Sequence, residues 1–80
     1  MNINNETKKK ITFESLREVC NPNMLIWLQD ENEICIEHDE CGCLSSMHDH
    51  LIVKEIYYQR IPALYNHTAL VVVLVKEEQE

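Results

Sequence analysis

The sequence predicts a small α+β domain: a single four-stranded antiparallel sheet, one N-terminal helix on one face of it, and a metal-binding loop between strands 2 and 3. Three observations carry that expectation. Only the stretch after Thr12 has its apolar residues at helical spacing. Four later stretches are apolar or alternating over strand lengths. Between the second and third of these lies a loop crowded with cysteine and histidine. Eighty residues make one domain, and a helix packed on one sheet is the simplest arrangement for this order of elements.

Residues 1–10 are polar and end in Lys8, Lys9 and Lys10. They bury too little to order themselves and are expected to form a flexible arm, leaving 11–76 as the folded domain and 77–80 as an acidic tail. Thr12 has the chemistry of a helix cap. Phe13, Leu16, Val19 and Cys20 then share one face, Glu14 suits the first turn, and Asn21 and Pro22 end the helix. So short a helix has to lie on a sheet, and Cys20 on its apolar side reads as a core thiol.

Residues 23–29 are nearly all apolar and read as a strand. A polar Asp30-Glu31-Asn32-Glu33 connection and a return strand from Ile34 complete a hairpin. After the Cys/His loop, in which Ser45 or Ser46 is placed to cap one helical turn, residues 51–60 form a third strand. Its alternation slips near Glu55 and Ile56, the mark of a bulge, and Pro62 ends it. Thr68 to Lys76 is the clearest strand, and its β-branched run belongs at the centre of a sheet. Antiparallel connections would place the metal loop and His67 at opposite ends, leaving His67 a surface residue. Trp27, Tyr57, Tyr58 and Tyr65 are candidate interface aromatics, since one helix covers only part of a sheet.

The stretch Cys35 to His50 holds three of the four cysteines, three of the four histidines and the only glycine. Its spacing is C-x2-H-x2-C-x-C-x4-H-x-H. Thiolates and imidazoles are the ligands of a tetrahedral zinc, and Gly42 between Cys41 and Cys43 would let the backbone turn at positive φ. The candidate ligands are His38, Cys41, Cys43, His48 and His50, five donors for four places, with Cys35 held back by its place in a strand. One structural zinc per chain is the expected cofactor, and its binding energy would matter to so thin a core. Free thiols, or a disulfide from Cys35 to Cys41 or Cys43, are the other readings; Cys41 and Cys43 stand too close to bridge each other. The spacing contains no C-x2-C pair, so ligand density alone supports the metal.

Seven basic residues face fourteen acidic ones, for a net charge of −7. That balance excludes ordinary binding to a phosphate backbone and fits a protein that docks on a basic nucleic-acid groove. Asp30, Glu31, Glu33, Glu37, Asp39 and Glu40 put six carboxylates and no lysine or arginine into eleven positions, which makes them the candidate partner-binding residues. The start of the chain has no apolar signal region and no apolar run reaches 18 residues, so a reduced cytoplasm is the expected compartment, where metal binding is favoured over disulfides; the resemblance given next implies that this is a bacterial host cytoplasm.

The segment TFESLREV, the strand after it, the Asp-Glu-Asn-Glu turn and the return strand resemble small acidic proteins of phages and prophages of Gram-positive bacteria. With a Cys/His loop added, the chain resembles the small metalloprotein inhibitors among the type II-A anti-CRISPRs. The similarity is one of layout and carries no residue across by motif. It implies a non-enzymatic inhibitor that binds a CRISPR effector nuclease and blocks loading of nucleic acid. The alternatives are a zinc-stabilised interaction subunit, a metal- or redox-responsive protein using Cys41 and Cys43, a self-associating subunit, and a zinc enzyme with Glu37 or Glu40 as base; for the enzyme the chain offers little room for a substrate pocket.

Overall fold

The computed structural model describes residues 10–76. The expected arm, apart from Lys10, and the expected acidic tail lie outside the described residues. A helix α1 (Phe13–Val19) is followed by strands β1 (Leu25–Gln29), β2 (Cys35–Glu40), β3 (Ile52–Ile61) and β4 (His67–Val75). Short 3-10 turns cover Cys41–Cys43, Ser46–His48 and Pro62–Leu64. Thr12 caps α1 as its sequence implies, its hydroxyl accepting from the Ser15 amide at 3.3 Å. Ser45 caps the second 3-10 turn by accepting from the Met47 amide at 3.1 Å.

All four strands form one sheet, in the order β2-β1-β4-β3. The two hairpins, β1 with β2 and β3 with β4, are antiparallel. The central pair, β1 with β4, is parallel. The expected purely antiparallel sheet is therefore a mixed one. The physical reason lies in burial. The two most apolar strands, β1 and β4, occupy the centre, and β4 is buried from Ala69 to Leu74. The more polar β2 and β3 are left at the edges, so the chain between Glu40 and Ile52 has to cross a whole face.

That crossover starts level with the beginning of β4, since Glu40 pairs with Leu25 and Ile26 with Leu70. It finishes at the opposite end, where Ile52 pairs with Val75. The loop thus begins at the end of the sheet that carries His67, not at the end away from it, and His67 opens β4 rather than lying in a loop. The outer edge of β3 is closed at its start by a bridge from Thr12 to Ile52 and by the Val53 amide, which donates to the Ile11 carbonyl at 2.7 Å. The expected bulge in β3 falls between Val53 and Glu55.

Alternation gives the sheet two unlike faces. The covered face, under α1 and the crossover, holds a core of Phe13, Ile26, Leu28, Cys41, Leu44, Leu70, Val72 and Leu74. The open face holds Ile61, Ala69 and Val71, with Leu25, Trp27, Tyr57 and Leu64 packed on them. Arg17 fastens the crossover to the helix. One guanidinium nitrogen donates to the Asp49 carboxylate at 2.8 Å and to the Ser45 carbonyl at 3.1 Å; the other donates to the Leu44 carbonyl at 2.8 Å and the Cys41 carbonyl at 3.4 Å. Gly42 does not have positive φ. Its place depends on close approach instead: a Cβ there would stand 3.2 Å from the Pro22 Cβ and 3.3 Å from the Pro22 carbonyl oxygen.

Candidate functional site

The five expected metal ligands are placed at separate positions. His38 lies in β2 and points to the open face, where its ring stacks on Trp27 with centroids 5.2 Å apart and planes 11° from parallel. Cys41 is buried in the core on the other face, its thiol directed at the Arg17 carbonyl at 3.7 Å. His48 lies in the crossover with Nε2 3.4 Å from a Glu37 carboxylate oxygen. Cys43 and His50 are exposed. Among the described residues no three cysteine, histidine, aspartate or glutamate side chains stand where they could share a metal ion.

The six-residue acidic run is also divided by the fold. Asp30 shapes the β1–β2 turn, one carboxylate oxygen accepting from the amides of Asn32 at 2.8 Å and Ile34 at 2.9 Å. That closure sets Glu33 at a φ of 67°. Glu31 is paired with Lys54 at 2.6 Å, and the Lys54 ammonium pKa is raised by that hydrogen bond and charge. A register shift beside Leu28 turns Glu37 to the covered face, where it accepts from the Ser45 amide at 3.0 Å. Its other oxygen is buried, with His48 as its neighbour and no hydrogen bond. Asp39, opposite Ile26, lies on the covered face as well. Only Glu33 and Glu40 of the six reach the open face.

The open face is where side chains with binding chemistry converge. β1 contributes Trp27 and Gln29, β2 His38, and β3 Tyr57 and Ile61. A hydrogen-bond chain spans the strands: the Trp27 indole N–H donates to the Gln29 amide oxygen at 3.1 Å, and the Gln29 amide nitrogen donates to the Tyr57 hydroxyl at 3.4 Å. This locks Trp27 and Tyr57 on either side of a shallow groove of about 360 Å³, bounded by Glu33, Gln59 and Pro62. Buried Gln29 thereby spends its polar groups on holding two aromatic rings. Glu40 lies opposite Leu25 and Glu55 opposite Val73, so both carboxylates flank the same face.

Strand alternation places no lysine or arginine on this face among the described residues. Arg60 falls beside Thr68 on the covered side, and Tyr58 beside Leu70 does the same. The bulge between Val53 and Glu55 sets the face that Glu55 takes, so the sequence marks Glu55 as a point of slipped alternation and not as part of the acidic surface. The exposed Tyr65 sits in a tight turn with Asn66, at φ of 57° and 62°, away from the aromatic pair on the strands.

No protein-family model, curated protein or solved structure matches this chain. Fold and site define a class only: a small α+β protein of two hairpins, carrying a shallow groove lined by Trp27, Tyr57 and Glu33 on the sheet face left open among the described residues. Among the described residues no helix is long and apolar enough to cross a membrane.

Proposed function

We propose that the protein is a non-enzymatic binding protein whose open sheet face docks on a basic protein surface, in the manner of an inhibitor that occupies a nucleic-acid groove. The observation that carries this reading is the composition of that face: Trp27 and Tyr57 line its groove with Glu33, while Glu40 and Glu55 lie on the same face, and no lysine or arginine does among the described residues. Aromatic rings held rigid by hydrogen bonds make low-entropy anchors, and their faces accept arginine or lysine side chains. The surrounding carboxylates would steer a basic partner and make binding sensitive to salt. A CRISPR effector nuclease, the partner that the resemblance implies, has such a groove. Zinc has no part in this reading.

The test is binding of the full chain to a purified type II-A effector nuclease, with and without guide RNA, alongside cleavage of a target duplex. Binding and inhibition, both weakened at least tenfold by Trp27→Ala at unchanged helix and strand content, are the expected result. Binding that is indifferent to Trp27→Ala would move the contact to another face. Absence of binding at micromolar concentration would remove this class of partner.

A further inference from the structure

The crossover brings together two thiols that lie far apart in sequence. Cys20 ends α1 and Cys41 opens the crossover. Two main-chain hydrogen bonds clasp the segments that hold them: the Cys41 amide donates to the Met24 carbonyl at 2.8 Å, and the Gly42 amide to the Pro22 carbonyl at 2.8 Å. Cys20 packs against the core cluster that contains Cys41, and, after burial, the neighbouring Cys41 thiol raises the Cys20 pKa. Cys41 also faces the Arg17 carbonyl one turn back on the helix. A disulfide needs Cβ atoms within about 3.5–4.5 Å and well-directed side chains; the main-chain clasp and the Cys41–Arg17 contact bring both thiols to the same end of the helix. Cys35 is excluded as their partner. It pairs with Gln29 at one end of β2, whereas Glu40, next to Cys41, pairs with Leu25 at the other, a separation of roughly 15–20 Å at strand rise.

We propose that Cys20 and Cys41 form a reversible disulfide that closes the helix end onto the start of the crossover. The oxidant is a small-molecule disulfide of the glutathione class. The Cys20 thiolate, the more accessible of the two, attacks one sulfur of that disulfide; the S–S bond breaks and one small thiol leaves. The Cys41 thiolate then attacks the Cys20 sulfur, forming the intramolecular S–S bond and expelling the second small thiol. The protein gives up two electrons and two protons, and the small disulfide takes both. Because the clasp lies on the covered face, partner binding at the open face is unaffected by it.

The experiment is incubation of the folded full chain with oxidised glutathione at mildly alkaline pH, alkylation of the remaining thiols, and non-reducing mapping after cleavage at glutamate. Glutamate cleavage separates Cys20, Cys35 and the Cys41–Cys43 pair onto three peptides; a Cys43→Ser chain resolves the last two. Expected is loss of two hydrogens per chain, a Cys20–Cys41 crosslink that persists in Cys43→Ser, and a melting temperature raised in the oxidised form and restored by reductant. A crosslink involving Cys35 or Cys43 would overturn the assignment. So would a chain that only accumulates mixed disulfides with glutathione, or a crosslink that forms only in denaturant.

Discussion

Replacing Arg17 by alanine tests whether the crossover is held by one side chain. Arg17 is about four-fifths covered, at 18% exposure, and Asp49 is nearly as covered at 23%. Two of its contacts are short, at 2.8 Å to Asp49 and to the Leu44 carbonyl. Hydrogen bonds to charged groups contribute about 1.5–3 kcal/mol each. The longer contacts to Ser45 and Cys41 add little, and partial exposure lets water replace some of the loss. The expected cost is about 2–4 kcal/mol, against a total stability of roughly 4–12 kcal/mol for a domain of this length. At about 4–8 °C per kcal/mol, the melt should fall by about 8–32 °C. Urea unfolding followed by fluorescence of Trp27, the only tryptophan, measures it directly. Arg17→Lys should fall between the two, because an ammonium can keep Asp49 but cannot fork across two carbonyls. Arg17 and Asp49 should couple by about 0.5–3 kcal/mol in a double-mutant cycle. A loss below about 1 kcal/mol for Arg17→Ala, or no coupling to Asp49, would refute the idea that this side chain fastens the crossover.

Three further outcomes follow from the same geometry. Gly42→Ala should destabilise by about 1–3 kcal/mol, because its Cβ meets Pro22 at 3.2 Å on a backbone held by the Gly42 to Pro22 hydrogen bond; an unchanged urea midpoint would show that the two segments can part freely. With His38 stacked on Trp27, Cys41 buried in the core and His48 beside Glu37, a strong chelator should leave the melt unchanged, and metal analysis should find well under one zinc per chain. Stoichiometric zinc with a large chelator effect would mean that the crossover regroups Cys41, Cys43 and the histidines around the ion. Burial first, then the neighbouring Cys41 thiol, raises the Cys20 pKa above the ordinary thiol value. Its alkylation should therefore lag that of exposed Cys43 near neutral pH and catch up only at higher pH. The sign for stability follows: the thiol form is favoured in the folded state, so its contribution is intact below the ordinary thiol pKa and is lost as pH rises through the raised one. Equal alkylation rates for Cys20 and Cys43 would contradict the burial.

Local signals were legible in the sequence where a residue acts on its own neighbours. Thr12 as cap, Pro22 and Pro62 as stops, Ser45 as a turn cap, and the central place of β4 all follow from chemistry within a few positions. Strand pairing did not, because a parallel β1–β4 contact depends on where the crossover travels, and no local pattern encodes that path. The candidate metal ligands are neighbours in sequence. In the fold a strand separates His38 from Cys41 by face, since alternation turns His38 outward and the core draws Cys41 inward. The acidic run was broken for the same reason, with one bulge turning Glu37 inward and an Asx turn engaging Asp30. Conversely, the approach of Cys20 and Cys41 and the placing of Glu55 on the face of Trp27 and Tyr57 are products of topology. The one sequence signal for them was the apolar side of the helix on which Cys20 lies.

The most direct measurement compares two charge-matched variants for binding to the type II-A nuclease at low and raised salt. One carries Glu33→Lys, Glu40→Lys and Glu55→Lys on the open face. The other carries Glu14→Lys, Glu18→Lys and Asp39→Lys, all exposed residues on the helix-bearing side. Both change net charge by the same amount, so total charge cannot separate them. An affinity loss of a hundredfold or more confined to the open-face set, with a flattened salt dependence, is the predicted result. Equal losses in both sets would reduce the interaction to net charge, and a loss confined to the helix side would place the docking surface on the opposite face of the sheet.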